Sequence, residues 1–165
     1  MSLPFKPNDS RTLGQSKNRA VARLLSIEKT FIKDQTFHQN YKQFIEEYIN
    51  LGHAQLCSPL SSQDIIHTKH YYIPYQAVIR ESSSTTKLRV VFDASSKTTS
   101  GISLNDQLLT GPTLQSDLFT IILKWRRHKF VISADIEKMY GQVKISPKHR
   151  TFQRFLWRNS TNEPI

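Results

Sequence analysis

In Val131-Ile132-Ser133-Ala134-Asp135-Ile136-Glu137-Lys138-Met139-Tyr140, a largely apolar run ends on a single carboxylate. β-Branched residues at its head favour a strand. Asp135 is therefore expected at a strand end, with a short turn or helical piece carrying Tyr140. A carboxylate fixed by a rigid sheet is well placed to hold a metal ion. An aspartate after a strand also serves as a helix N-cap or turn former, and taken alone Asp135 fits that plainer role.

On the N-terminal side, Pro112-Thr113 opens an expected helix whose apolar residues are Leu114, Leu118, Phe119, Ile121, Ile122 and Trp125. Arg126, Arg127, His128 and Lys129 close it, where positive charge complements the helix dipole. Downstream, Pro147 ends an extended piece and Thr151–Trp157 reads as another strand. Further back, residues 71–93 are expected to form a β-hairpin: an aromatic and β-branched strand from Tyr71, the polar turn Ser82-Ser83-Ser84-Thr85-Thr86, and the return strand Lys87–Asp93. Pro74 would confine the first strand to a sheet edge or a bulge.

Two amphipathic helices precede the hairpin. Val21, Leu24, Leu25, Phe31 and Ile32 make one stripe over Lys17–Lys33, and Tyr41, Phe44, Ile45, Tyr48 and Ile49 another over Thr36–Leu51. Gly52 follows at a helix C′ position. Helices first and sheet elements afterwards make an α+β fold. The division is an extended leader at 1–16, a helical segment at 17–56 and a third region at 57–165.

The 165 residues suit one domain or a piece of a larger protein, and the net charge of +10 points to an anionic partner, nucleic acid before an acidic membrane surface. Cys57 is the sole cysteine, which excludes an internal disulfide and fits a reducing compartment. No apolar run approaches the ~20 residues of a membrane span, and the N-terminus lacks a signal-like core. A soluble intracellular protein is expected. His53, Cys57, His67 and His70 do not follow a paired zinc-ligand spacing. Neither a phosphate-cradling G-x-x-x-x-G-K-[ST] loop nor a G-x-S-x-G nucleophile context occurs.

Several blocks recur in a familiar order: Tyr71-Tyr72-Ile73-Pro74 with Ala77-Val78, Lys87-Leu88-Arg89-Val90-Val91-Phe92-Asp93-Ala94-Ser95, Ser103-Leu104-Asn105-Asp106, Leu109-Thr110-Gly111-Pro112-Thr113-Leu114-Gln115, Ala134–Tyr140, Phe152-Gln153-Arg154 and Leu156-Trp157. Together they resemble the reverse transcriptase region of Pao (BEL/Pao) long-terminal-repeat retrotransposon polyproteins. The resemblance implies a partial right-hand polymerase, fingers plus the start of the palm, in residues 57–165. It implies that Asp135 is the first catalytic aspartate and a ligand of two Mg²⁺ ions. Backbone amides around Lys138 and Met139 would lie near the incoming triphosphate, and Tyr140 would pack under the sugar and disfavour a 2′-hydroxyl. Arg89 would contact the nucleotide's phosphates, a task suited to a planar guanidinium, with Lys87 as a second contact. The implied partners are an RNA or DNA template–primer and a deoxynucleoside triphosphate, without a membrane. The implied setting is a cytoplasmic particle or the nucleus.

Departures accompany the likeness. Tyr75-Gln76 stands where related sequences show two histidines, and Gly141 where a basic side chain is common, which is expected to loosen the turn. No Tyr-x-Asp-Asp occurs in the 165 residues. The chain is therefore expected to be a polymerase fragment lacking the thumb, RNase H and integrase regions and the upstream protease, and inactive alone. The alternative is a non-catalytic nucleic-acid-binding or interaction protein derived from a decayed element.

Overall fold

The computed structural model describes residues 1–7, 10–57, 69–79 and 88–165. It is a mixed α+β structure in which a helical pair packs on a small antiparallel sheet. The first helix, α1 (Lys17–Lys33), has the bounds expected from its periodicity, and α2 (Gln35–Asn50) differs from expectation by one residue at each end. Asp34 separates them. Its side chain accepts a hydrogen bond from the Phe37 N–H and caps α2, while its own N–H bonds to the Thr30 carbonyl.

The C-terminus of α2 closes as a Schellman turn. The Gly52 N–H bonds to Ile49 O at 2.9 Å and the His53 N–H to Tyr48 O at 3.0 Å. Gly52 has φ +72°, a conformation glycine adopts without Cβ strain.

The buried face of α1 comprises Ala20, Leu24, Ile27, Glu28 and Phe31. Leu25 and Ile32, expected in the apolar stripe, lie one position further round and are exposed. Ala20 takes part because a small side chain lets the backbones approach. Glu28 is the unexpected member. It receives both nitrogens of a guanidinium fork, Arg158 Nε at 2.7 Å and Nη2 at 2.6 Å, with both side chains nearly buried. A buried carboxylate needs such a partner to offset its lost hydration.

Strands β1 (Tyr75–Ile79) and β2 (Leu88–Phe92) form the expected antiparallel hairpin, with Tyr75 opposite Phe92 and Ile79 opposite Leu88. Its polar turn lies outside the described residues. The helices cover one side of the sheet, burying Leu24, Ile27, Phe31, Tyr41, Ile45 and Tyr75 with Phe92 and Trp157 against them. Each such aliphatic or aromatic side chain contributes about 1.5–3 kcal/mol by leaving water.

The expected strand beginning at Tyr71 divides at Pro74. Before it, Tyr72 makes a parallel bridge with Arg154, and the Tyr71 and Ile73 N–H groups bond to Thr151 O and Arg154 O. After it, the chain pairs with β2, and Pro74 O accepts the Asp93 N–H. Proline has no N–H to lose at this change of partner. A second core forms there from Tyr71, Ile73, Leu104 and Phe152, with Leu3, Phe5 and Leu13 packed on it.

Residues 1–7 and 10–16 are extended and held at several points. Phe5 bridges Leu108, the Gly14 N–H meets Thr98 Oγ1 and Ser100 Oγ, and Leu3 N–H meets His149 Nδ1. A short helix, α3 (Leu104–Gln107), anchors this strap. Ser103 and Asp106 form a reciprocal capping box at its start.

Three expectations change. The helix expected to open at Pro112 begins instead at α4 (Leu118–Trp125), where Asp117 Oδ1 accepts the Thr120 N–H as N-cap. Residues 130–134 form no strand, and Phe130 and Ile132 are exposed. Residues 151–157 form no continuous strand either: a 3₁₀ helix, Pro147–Gln153, runs into the single bridge at Arg154. β-Propensity yields a strand only beside a partner edge, and residues 130–134 have none among the described residues.

Candidate functional site

Asp135, Lys138, Met139 and Tyr140 lie together on one exposed turn after α4. Asp135 Oδ1 accepts the Ile136 N–H at 2.9 Å, a local contact of the kind aspartate makes in turns. Lys138 opens the 3₁₀ helix Met139–Gln142 with φ 50° and ψ 36°. This left-handed conformation costs a non-glycine residue roughly 1–2 kcal/mol. Tyr140 is 86% exposed. Its ring is therefore not the buried core tyrosine that ordinary packing would make of it, and it remains free to meet a ligand.

Two residues of the helical segment hold this turn. Lys138 Nζ forms an ion pair with Glu47 near the end of α2. Gly141 sits against the His53 imidazole, where an added Cβ would fall 2.5 Å from Cε1. The missing Cβ at Gly141 leaves room for that imidazole, so the turn lies against the residue just past the C-terminal turn of α2. Sequence reading missed Glu47 and His53. Their signal was weak: a glutamate on the polar face of a helix, and a histidine just past its C′ glycine.

Arg89 lies on β2 opposite Val78, with its side chain exposed. No hydrogen bond or ion pair joins it to the Asp135 turn among the described residues. Lys87 lies outside the described residues, as does His67. Two Mg²⁺ ions need several hard oxygen ligands shared between them. Among the described residues no three His, Cys, Asp or Glu side chains cluster to hold a metal. Asp135 alone does not compose a two-ion site.

Among the described residues, the most strongly perturbed carboxylate is elsewhere. Asp106 is held well below the usual carboxylate range, first by the Lys97 ammonium at 2.5 Å and then by the Ser103 N–H and hydroxyl. Its partners are all structural, and they knit α3 to the loop before it. A depressed folded-state pKa means that the unfolded chain binds the proton more readily. The associated stability is present above the unfolded value near 4 and is lost as pH falls further. Thermal melts of Asp106→Asn should show reduced stability at neutral pH and a flatter acid limb than the parent. An unchanged acid limb would count against this role.

No described helix is long and apolar enough to cross a membrane. Comparison with protein-family models, curated proteins and solved structures finds no match. The family likeness therefore rests on the ordered sequence blocks.

Proposed function

We propose that this chain is the fingers and first palm segment of a Pao-type RNA-directed DNA polymerase, and that its own contribution is to bind nucleic acid rather than to catalyse. The observation that carries the reading is the series of blocks from Tyr71 to Trp157, which includes an Asp135–Tyr140 turn that stands open at the surface. In the intact enzyme Asp135 would be one ligand of the Mg²⁺ pair, Arg89 and Lys87 phosphate contacts, and Lys138, Met139 and Tyr140 the floor of the nucleotide site. Template–primer and deoxynucleoside triphosphate are the partners, in a cytoplasmic particle or the nucleus.

A second reading, a non-catalytic nucleic-acid-binding protein from a decayed element, is favoured by one specific observation. The net charge of +10 suits a polyanionic partner whether or not a metal site is complete. The two readings separate on the transcript 3′ of the Ile165 codon. An in-frame Tyr-x-Asp-Asp within roughly 100 codons, a domain-scale distance, supports the polymerase; an immediate stop supports the second reading.

Either way, the purified chain should give no primer extension with Mg²⁺, and Asp135→Asn should leave its nucleic-acid affinity unchanged. Extension that disappears in Asp135→Asn would overturn this.

A further inference from the structure

On α1, Arg19, Ala22, Arg23 and Ser26 follow one another at helical spacing along a stripe beside the buried face. This stripe forms one wall of an open cleft of about 330 Å³, whose opposite wall is Pro74 and Ser96 at the root of the hairpin. Ala22 and Ser26 are small, so the two guanidiniums flank an empty floor rather than a packed side chain. Among the described residues, neither arginine forms an ion pair.

On α1 the exposed charge has one sign. Lys17, Lys29 and Lys33 share the helix, and its sole acid, Glu28, is turned inward to Arg158. Asp93 is the nearby carboxylate on the hairpin side, and it accepts the Ser95 N–H at 3.0 Å. The opposite wall is fixed, because Tyr71 Oη donates to Ser96 O at 2.5 Å and the Ser96 N–H bonds to Asp93 O.

We infer that this cleft between α1 and the hairpin root is a phosphate-binding site that grips the backbone of a single nucleic-acid strand through Arg19 and Arg23. The inference rests on the nucleic-acid-binding reading above and locates it on the surface. Paired guanidiniums one helical turn apart match successive phosphate oxygens with charge-assisted hydrogen bonds. An open cleft lets a strand pass through, whereas a free nucleotide is better held by an enclosed pocket. Such contacts position a strand without reading its sequence.

The test uses the full chain and a fluorescein-labelled single strand, followed by anisotropy across a salt series. Arg19→Ala/Arg23→Ala should weaken binding about tenfold near 0.1 M salt and lower the salt slope by about 1.4, the value for two strand phosphates. The charge-matched control Arg126→Ala/Arg127→Ala, altering exposed residues after α4, should change the affinity far less. Circular dichroism checks that both variants remain folded.

Equal weakening in the two variants would overturn the site, since only total charge would then matter. No change in Arg19→Ala/Arg23→Ala while the parent binds would overturn the site alone. Failure of the parent to bind at about 50 mM salt would overturn the nucleic-acid reading as well. Displacement of the strand by inorganic tripolyphosphate, at ionic strengths where sodium chloride leaves it bound, would replace the strand with a free polyphosphate ligand.

Discussion

Raising salt from about 50 to about 200 mM is expected to weaken the chain's hold on a labelled single strand about a hundredfold. Binding through phosphates releases condensed counterions, and roughly five contacts at about 0.7 ions each give that change over a fourfold rise in salt. The charge is sufficient, with a net +10 over 165 residues. It is also accessible: Lys17, Arg19, Arg23, Lys129, Lys144, Lys148 and Arg150 are all exposed. Binding carried by the exposed rings and aliphatic side chains around α4 would behave differently, because apolar association does not weaken with salt. Anisotropy titrations at several salt concentrations distinguish the two. A flat profile, or one that strengthens with salt, would remove the electrostatic interface from consideration.

The second large effect concerns Tyr41, which is fully buried where α1, α2 and the sheet meet. Its ring stacks on Trp157 at 6.1 Å and lies beside Phe31, Phe37 and Tyr75. Tyr41→Ala should cost about 3–5 kcal/mol, the range for deleting a buried aromatic ring. A single domain of ordinary stability has about 5–15 kcal/mol in all, so this change can leave much of the chain unfolded at 37 °C.

Tyr41→Phe should go the other way. Among the described residues the Tyr41 hydroxyl has no hydrogen-bond partner, and burial pushes its pKa up so that it stays neutral. Removing an unsatisfied buried hydroxyl should stabilise by about 1 kcal/mol. Urea melts of both variants test the pair, and a destabilised Tyr41→Phe would reveal a partner for that oxygen.

What could be read from residue order depended on how local its cause was. The bounds of α1, the glycine turn after α2 and the hairpin follow from periodicity and turn chemistry within each segment. The start of α4 was misplaced: Pro112-Thr113 is a helix-opening signal, yet the helix begins only after Asp117, whose side chain caps it. The two strands expected around 130–134 and 151–157 were not decided locally, since a strand exists only beside another.

The Glu28–Arg158 pair is an intermediate case. Glu28 falls on the same helical face as Leu24 and Phe31, so it had to be either exposed by a shifted stripe or paired. No local rule named its partner. The candidate site divides likewise. The turn carrying Asp135 through Tyr140 is a sequence-local unit, whereas its clamps, Glu47 and His53, come from some ninety residues earlier.

That long reach has a kinetic consequence. Arg158 closes onto Glu28 across 130 residues, and Tyr75 Oη onto Leu156 O across 81. During synthesis the helical pair and the hairpin emerge long before the segment that completes their shared core. High contact order of this kind slows folding, because loop-closure entropy is lost before native contacts compensate for it. On the ribosome, Phe31 and Tyr41 would therefore lack the cover of Trp157, and Tyr75 that of Phe155, until the segment at 155–158 had emerged. Heat-shock chaperones that bind exposed apolar segments should associate with released chains truncated before residue 150 and dissociate from those that include residue 160.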